Sequence, residues 1–166
     1  EVAEVRARNL LHRVGIPVNR FDGPPQHISG GQRQRLAFAR AMGTKADVLF
    51  ADEPTGNLDP WNASIVMDIL QKNLEEEGLT GVIVTHDIDL ALKYADQIVY
   101  IRKDHNSASG KTTGLIDALS HYQKSDDGKW MHRLSADGGR LLSDEQLSSH
   151  LLELFVADIE KTEDGE

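Results

Sequence analysis

An α/β fold organised on a parallel sheet is what three features of this 166-residue chain predict. Short apolar runs at Val48–Ala51, Val82–Thr85 and Ile98–Ile101 alternate with stretches of helical spacing. Strand, helix, strand, helix, strand in that order calls for parallel neighbours joined by right-handed crossovers. The first run ends in the adjacent carboxylates Asp52 and Glu53. Sites in open parallel sheets collect at such strand ends.

The elements follow in order. Val2, Val5, Leu11 and Val14 give a helical pattern that Gly15 and Pro17 close. Ser29 is an N-cap for a second helix, along which Leu36, Ala39 and Met42 recur, and Gln32 completes a capping box. Gly30 and Gly31 carry no side chains, so a ligand can approach the free N–H groups at the positive helix end, a place suited to phosphate. Val48–Ala51 has the unbroken apolar character of a strand buried on both faces. Asp52 and Glu53 point to opposite sides of it and so have separate tasks. One suits a hard cation, the other a reacting group.

Asp59 caps the next helix, with Pro60 at its first position and Gly78 at its end. Asp87 opens a short helix carrying Leu90, Ala91 and Ala95. Beyond Lys103 the character changes, with turn signals at Asp126-Asp127-Gly128 and Asp137-Gly138-Gly139. Trp130–Leu134 reads as a strand paired with 114–122, although the latter segment reads equally well as helix. Ser143 to Gln146 is another capping box, opening a helix whose apolar side is Leu147, Leu151, Leu154, Phe155 and Val156. From Asp158 onward the sequence is acidic and is expected to fray. Packing against the core, packing against a second copy and docking of a partner all remain open for this region.

Composition limits the function. A net charge of −9 and 5% aromatic residues argue against a nucleic-acid surface. Cysteine is absent, which excludes disulfides and thiolate metal sites. No apolar run approaches the length of a membrane span.

The motifs together resemble the ATP-binding-cassette (ABC) ATPases. Ile28-Ser29-Gly30-Gly31-Gln32 is similar to their signature, with Ile where Leu is usual, and Val48–Glu53 is similar to Walker B plus the catalytic glutamate. Gly56-Asn57-Leu58-Asp59 resembles the D-loop, and His86, after Val82–Thr85, the switch histidine. Ala51 through Asp59 looks most like the exporters of the lipoprotein-releasing, macrolide and cell-division type.

The resemblance implies a partial P-loop NTPase fold. This would be a parallel sheet with flanking helices, a remnant helical subdomain and a C-terminal α+β appendage. Residues 1–103 would be the partial ATPase domain and 104–166 an extension of unknown role. Asp52 would hold Mg²⁺, Glu53 would polarise the attacking water, and His86 would contact the γ-phosphate of ATP. Ser29, Gly30, Gly31 and Gln32 would close over nucleotide held by a second ABC ATPase subunit in a head-to-tail dimer, with Asp59 at the junction. Membrane-spanning subunits would be the other partners, with no nucleic acid involved. The location would be the cytoplasmic, inner face of the cell membrane.

In that family a P-loop precedes the signature, and none precedes Ser29 here, so a fragment with little activity alone is expected. Gly110-Lys111-Thr112-Thr113 lies after the switch histidine, and His105 stands where a P-loop needs glycine. It is read as coincidence. Two alternatives stay open: an ABC ATPase working without a transporter, and a non-catalytic module supplying the signature in trans.

Overall fold

The computed structural model describes residues 2–24, 27–44, 46–106, 111–116, 120–132 and 141–163. The chain divides into two compact units, Glu1–His86 and Asp87–Glu166. The expected turn at 137–139 and the last two positions of the Trp130–Leu134 strand lie outside the described residues.

The first unit runs α1 (Val2–Arg13), a 3₁₀ turn (Val18–Arg20), α2 (Gly30–Met42), β1 (Val48–Asp52), α3 (Pro60–Glu77) and β2 (Thr80–Val84). Helix α3 explains its own length. Asp59 accepts the Asn62 N–H at 3.0 Å, Pro60 follows at the first position, and Gly78 ends the helix at φ +64°. Ala63, Val66, Met67, Leu70 and Asn73, at spacings of three and four, form its buried side. At Gly81 a Cβ would stand 2.6 Å from Leu74 Cδ1, so glycine lets β2 lie directly on α3. Arg13, in the last turn of α1, pairs with Glu76 at 3.1 Å and with Glu77.

β1 and β2 pair in parallel, Phe50 opposite Val82 and Asp52 opposite Val84. Leu49 is buried, but Phe50 is 78% exposed, and Val48, Val82 and Val84 are exposed as well. The expectation of burial on both faces is therefore corrected. The pair has a helix layer on its Leu49 face, and among the described residues nothing covers the other.

The second unit runs α4 (Ile88–Tyr94), β3 (Gln97–Val99), β4 (Arg102–Asn106), β5 (Lys111–Leu115), β6 (His121–Lys124), β7 (Trp130–His132) and α5 (Asp144–Glu163). Asp87 caps α4 by accepting the Leu90 N–H at 3.0 Å. β3 does not continue a parallel sheet. It pairs antiparallel with β6, which pairs antiparallel with β7, and this places Ile98 against a core of Leu92, Tyr122, Trp130, Leu147 and Leu151. Burial of Ile98 on that core decides its sheet.

The 114–122 segment is strand at its two ends, in β5 to Leu115 and in β6 from His121, and β6 pairs with β7; residues 117–119 lie outside the described residues. β4 and β5 form a separate antiparallel pair. Trp130 is fully buried, donates its indole N–H to Asp144 at 2.7 Å and lies under Lys124 Nζ, 5.1 Å from the ring. His132 and His150 meet Tyr122 edge-on, with centroids 5.5 and 6.0 Å away. Helix α5 opens on the expected Ser143–Gln146 box and continues to Glu163, past the point where fraying was expected. Its apolar side splits: Leu147 and Leu151 are buried, whereas Phe155 and Val156 are exposed.

Candidate active site

Two clusters gather the residues singled out above. The first lies at the joined N-termini of α2 and α3. Ser29 Oγ accepts the Gln32 N–H at 3.2 Å, and the Ser29 N–H donates to Gln32 Oε1 at 2.9 Å, closing the capping box. Arg33 donates to the Ile28 carbonyl at 2.9 Å and fixes the chain leading into the helix. Arg35 lies partly buried, and desolvation pushes its guanidinium pKa below the usual value.

Gly30 is half-buried and Gly31 buried. A Cβ on Gly30 would meet Leu58 Cδ2 at 3.6 Å, and one on Gly31 would meet Asn62 Oδ1 at 3.6 Å, both ordinary van der Waals contacts. Neither glycine has a positive φ. Neither local backbone nor packing requires glycine at these two positions. Asp59 Oδ2 also accepts the Asn62 side-chain N–H at 2.6 Å. That bond, joined by the backbone one, holds the exposed Asp59 carboxyl below the ordinary carboxylate range.

Ser29→Ala is expected to cost about 1 kcal/mol through loss of the cap, while Ser29→Asp, which still caps, costs little. Urea midpoints of the two variants measure the difference. Because the added carboxylate repels phosphate, the Asp variant separates capping from any ligand role.

The second cluster is at the C-terminal ends of the parallel strands. β1 ends at Asp52, which is exposed. Glu53 follows at φ +44°, a left-handed backbone unusual for a side chain with a Cβ. Its N–H donates to Val84 O at 2.9 Å, carrying the ladder one residue beyond the strand. The reversal brings Glu53 Oε1 against His86, from which it takes both the backbone N–H at 3.0 Å and Nδ1 at 2.7 Å. Residues 33 apart in sequence thus share one oxygen. The turn after Glu53 closes with the Gly56 N–H on Glu53 O at 3.2 Å, and the chain continues to Leu58, whose side chain lies beside Gly30 of the first cluster.

Among the described residues no group of three or more His, Asp or Glu is placed to hold a metal. Lys111 and Thr112 begin strand β5 of an antiparallel pair, not a helix after a loop, so their backbone is unlike a P-loop. Asn62 was not singled out from sequence. The signal for it was its spacing, three residues after the Asp59 cap.

An α/β layer with acidic residues at the ends of parallel strands is the arrangement of the P-loop NTPase fold, as found in ABC ATPase cassettes. Residues 2–56 match the ABC transporter family, and the chain is similar to ABC transporter ATP-binding proteins and to solved ABC cassettes. It is 43% identical over 103 residues to a lipoprotein-releasing system ATP-binding protein, LolD 2, of Caulobacter vibrioides, covering 62% of this chain and 44% of that one. It is 46% identical over 101 residues to the glutamine transport ATP-binding protein GlnQ of Bacillus subtilis, covering 61% and 41%. Among solved structures, the dimeric bacterial ABC transporter cassette MJ0796 matches with a TM-score of 0.50 and 38% identity over 58% of this chain and 41% of that one. The chain thus spans less than half the length of these relatives.

Proposed function

We propose that this chain is the signature-bearing portion of an ABC transporter's nucleotide-binding subunit, and that the parent subunit hydrolyses ATP to drive transport. The observation that carries the reading is the shared oxygen of Glu53 and His86, beside Asp52 at the tips of adjacent parallel strands. Phosphoryl transfer asks a protein for little covalent work; it must place a water and neutralise charge. Mg²⁺, when bound, supplies charge neutralisation at the phosphates. Asp52 is the residue to hold it. Glu53 accepts a proton from the attacking water, and His86, now on Glu53, turns to the γ-phosphate when ATP arrives.

The glycines support the other half of the reading. Since packing does not need glycine at 30 and 31, what the half-buried Gly30 supplies is backbone without a side chain at a positive helix end. Ser29, Gly30, Gly31 and Gln32 close over nucleotide on a second ATPase subunit, and Asp59 sits where the two meet. Among the described residues no helix is long and apolar enough to cross a membrane. By the likeness to transporter ATP-binding proteins, transport runs through membrane-spanning partners, with the subunit on the inner, cytoplasmic face.

Phosphate release separates the parts of this proposal. The 166-residue chain alone is expected to show negligible ATP turnover and the full-length gene product clear turnover. Robust turnover by the short chain would place phosphate binding within it and overturn the division of labour proposed here.

A further inference from the structure

Helix α5 has apolar residues on two sides, and among the described residues one side is buried in a core while the other stays about half exposed. Leu147 and Leu151 are buried in the core of the second unit, with Leu154 packed beside them. Leu152, Phe155 and Val156 are 50%, 47% and 51% exposed. Leu152 and Val156, four residues apart, form a strip roughly 100–140° around the helix from Leu151, and Phe155, one turn beyond Leu151, lies between that strip and the buried side. A helix serving the core alone has no use for this second strip.

Beside the strip runs a groove lined by Leu142, Glu145, Gln146, Ser149, His150 and Glu153, two carboxylates to one imidazole. Glu145 and Glu153 are exposed on its wall. The helix as a whole carries six carboxylates and one lysine, on a protein of net charge −9. A second copy would bring this acidic surface against itself, and like charges across an interface are strongly disfavoured. Anionic membranes attract basic helices and repel this one. What fits is a surface with apolar residues for the strip and cations for the groove.

We propose that the outer face of α5 docks a basic amphipathic helix of a protein partner, laid along Leu152, Phe155 and Val156 with its lysines or arginines over Glu145 and Glu153. The proposal is independent of the ATPase reading, because it uses no residue of either cluster.

The probe is a synthetic peptide with leucine and lysine at helical spacing, set against a scrambled peptide of the same composition. With the full chain, the ordered peptide is expected to bind about tenfold or more tightly than the scrambled one, as a few anchoring side chains suffice for that. Hydrogen-exchange protection should fall on 144–156. The Leu152→Ser/Phe155→Ser/Val156→Ser variant should bring the two peptides level. The Glu145→Gln/Glu153→Gln variant, which touches only exposed polar positions, should weaken the ordered peptide and flatten its salt dependence. It keeps the test alive if the serine variant fails to fold. Equal binding of both peptides, or protection elsewhere, overturns the proposal. So does a self-association in sedimentation that the serine variant abolishes, which makes a second copy the occupant. Binding to vesicles of phosphatidylserine and phosphatidylcholine through the strip overturns it likewise.

Discussion

Glu53→Gln in the full-length protein is expected to lower ATP turnover by about 10² to 10⁴, the usual contribution of a positioned general base. Nucleotide binding should survive. The substitution keeps the shape and one oxygen of the side chain, so the bond from the His86 N–H, now 3.0 Å, can persist. What goes is the capacity to take a proton from water. Single-turnover phosphate release beside a nucleotide-binding titration checks both halves. A variant that loses binding and turnover together would show that Glu53 supports the strand tip and not the chemistry. A variant with near-normal turnover would remove the glutamate from the mechanism.

Trp130→Ala is expected to cost about 3–5 kcal/mol, the range for emptying an aromatic site in a core. The indole is fully buried among Tyr122, Leu147 and Leu151, and its N–H is bound to Asp144 in the first turn of α5. One change thus opens a cavity and frees the start of a helix. A domain holds only about 5–15 kcal/mol of stability in all, so most of that of the second unit would be gone. Urea unfolding followed by circular dichroism, with hydrogen exchange to assign the loss to residues 87–163, measures it. Trp130→Phe should fall between the variant and the parent, since the ring remains and the hydrogen bond does not. An unchanged midpoint for the alanine variant would mean that Trp130 does not hold this core.

The parts legible in the sequence are those whose cause is local. Ser29 with Gln32, Asp59 with Pro60, Gly78 and Ser143 with Gln146 each announce a helix end through residues a few positions apart, and the structure has every one. The position of Asp52 and Glu53 at the end of one strand and of His86 just past another is legible from the apolar runs before them. The bond between Glu53 and His86 is not, because it depends on β1 and β2 lying side by side and on a left-handed residue at the tip.

The errors have the same origin. Phe50 has the sequence context of a buried strand and yet stands 78% exposed, because burial is a property of what lies across the sheet. The order of elements alone points Ile98 to the parallel sheet, whereas the Tyr122–Trp130 core takes it into an antiparallel one. Phe155 and Val156 share a helical pattern with Leu151, and the pattern does not say which apolar residues face inward.

The bare side of the β1–β2 pair has a consequence for handling these 166 residues by themselves. Backbone groups along an outer strand, next to Phe50, Val82 and Val84, offer a ready template to any extended chain that drifts past. Crowding feeds such growth and dilution starves it. Concentrating the isolated polypeptide therefore pushes it toward stacked aggregates, and a short detergent or co-solvent screen is a sounder first step in purification than a search for crystals.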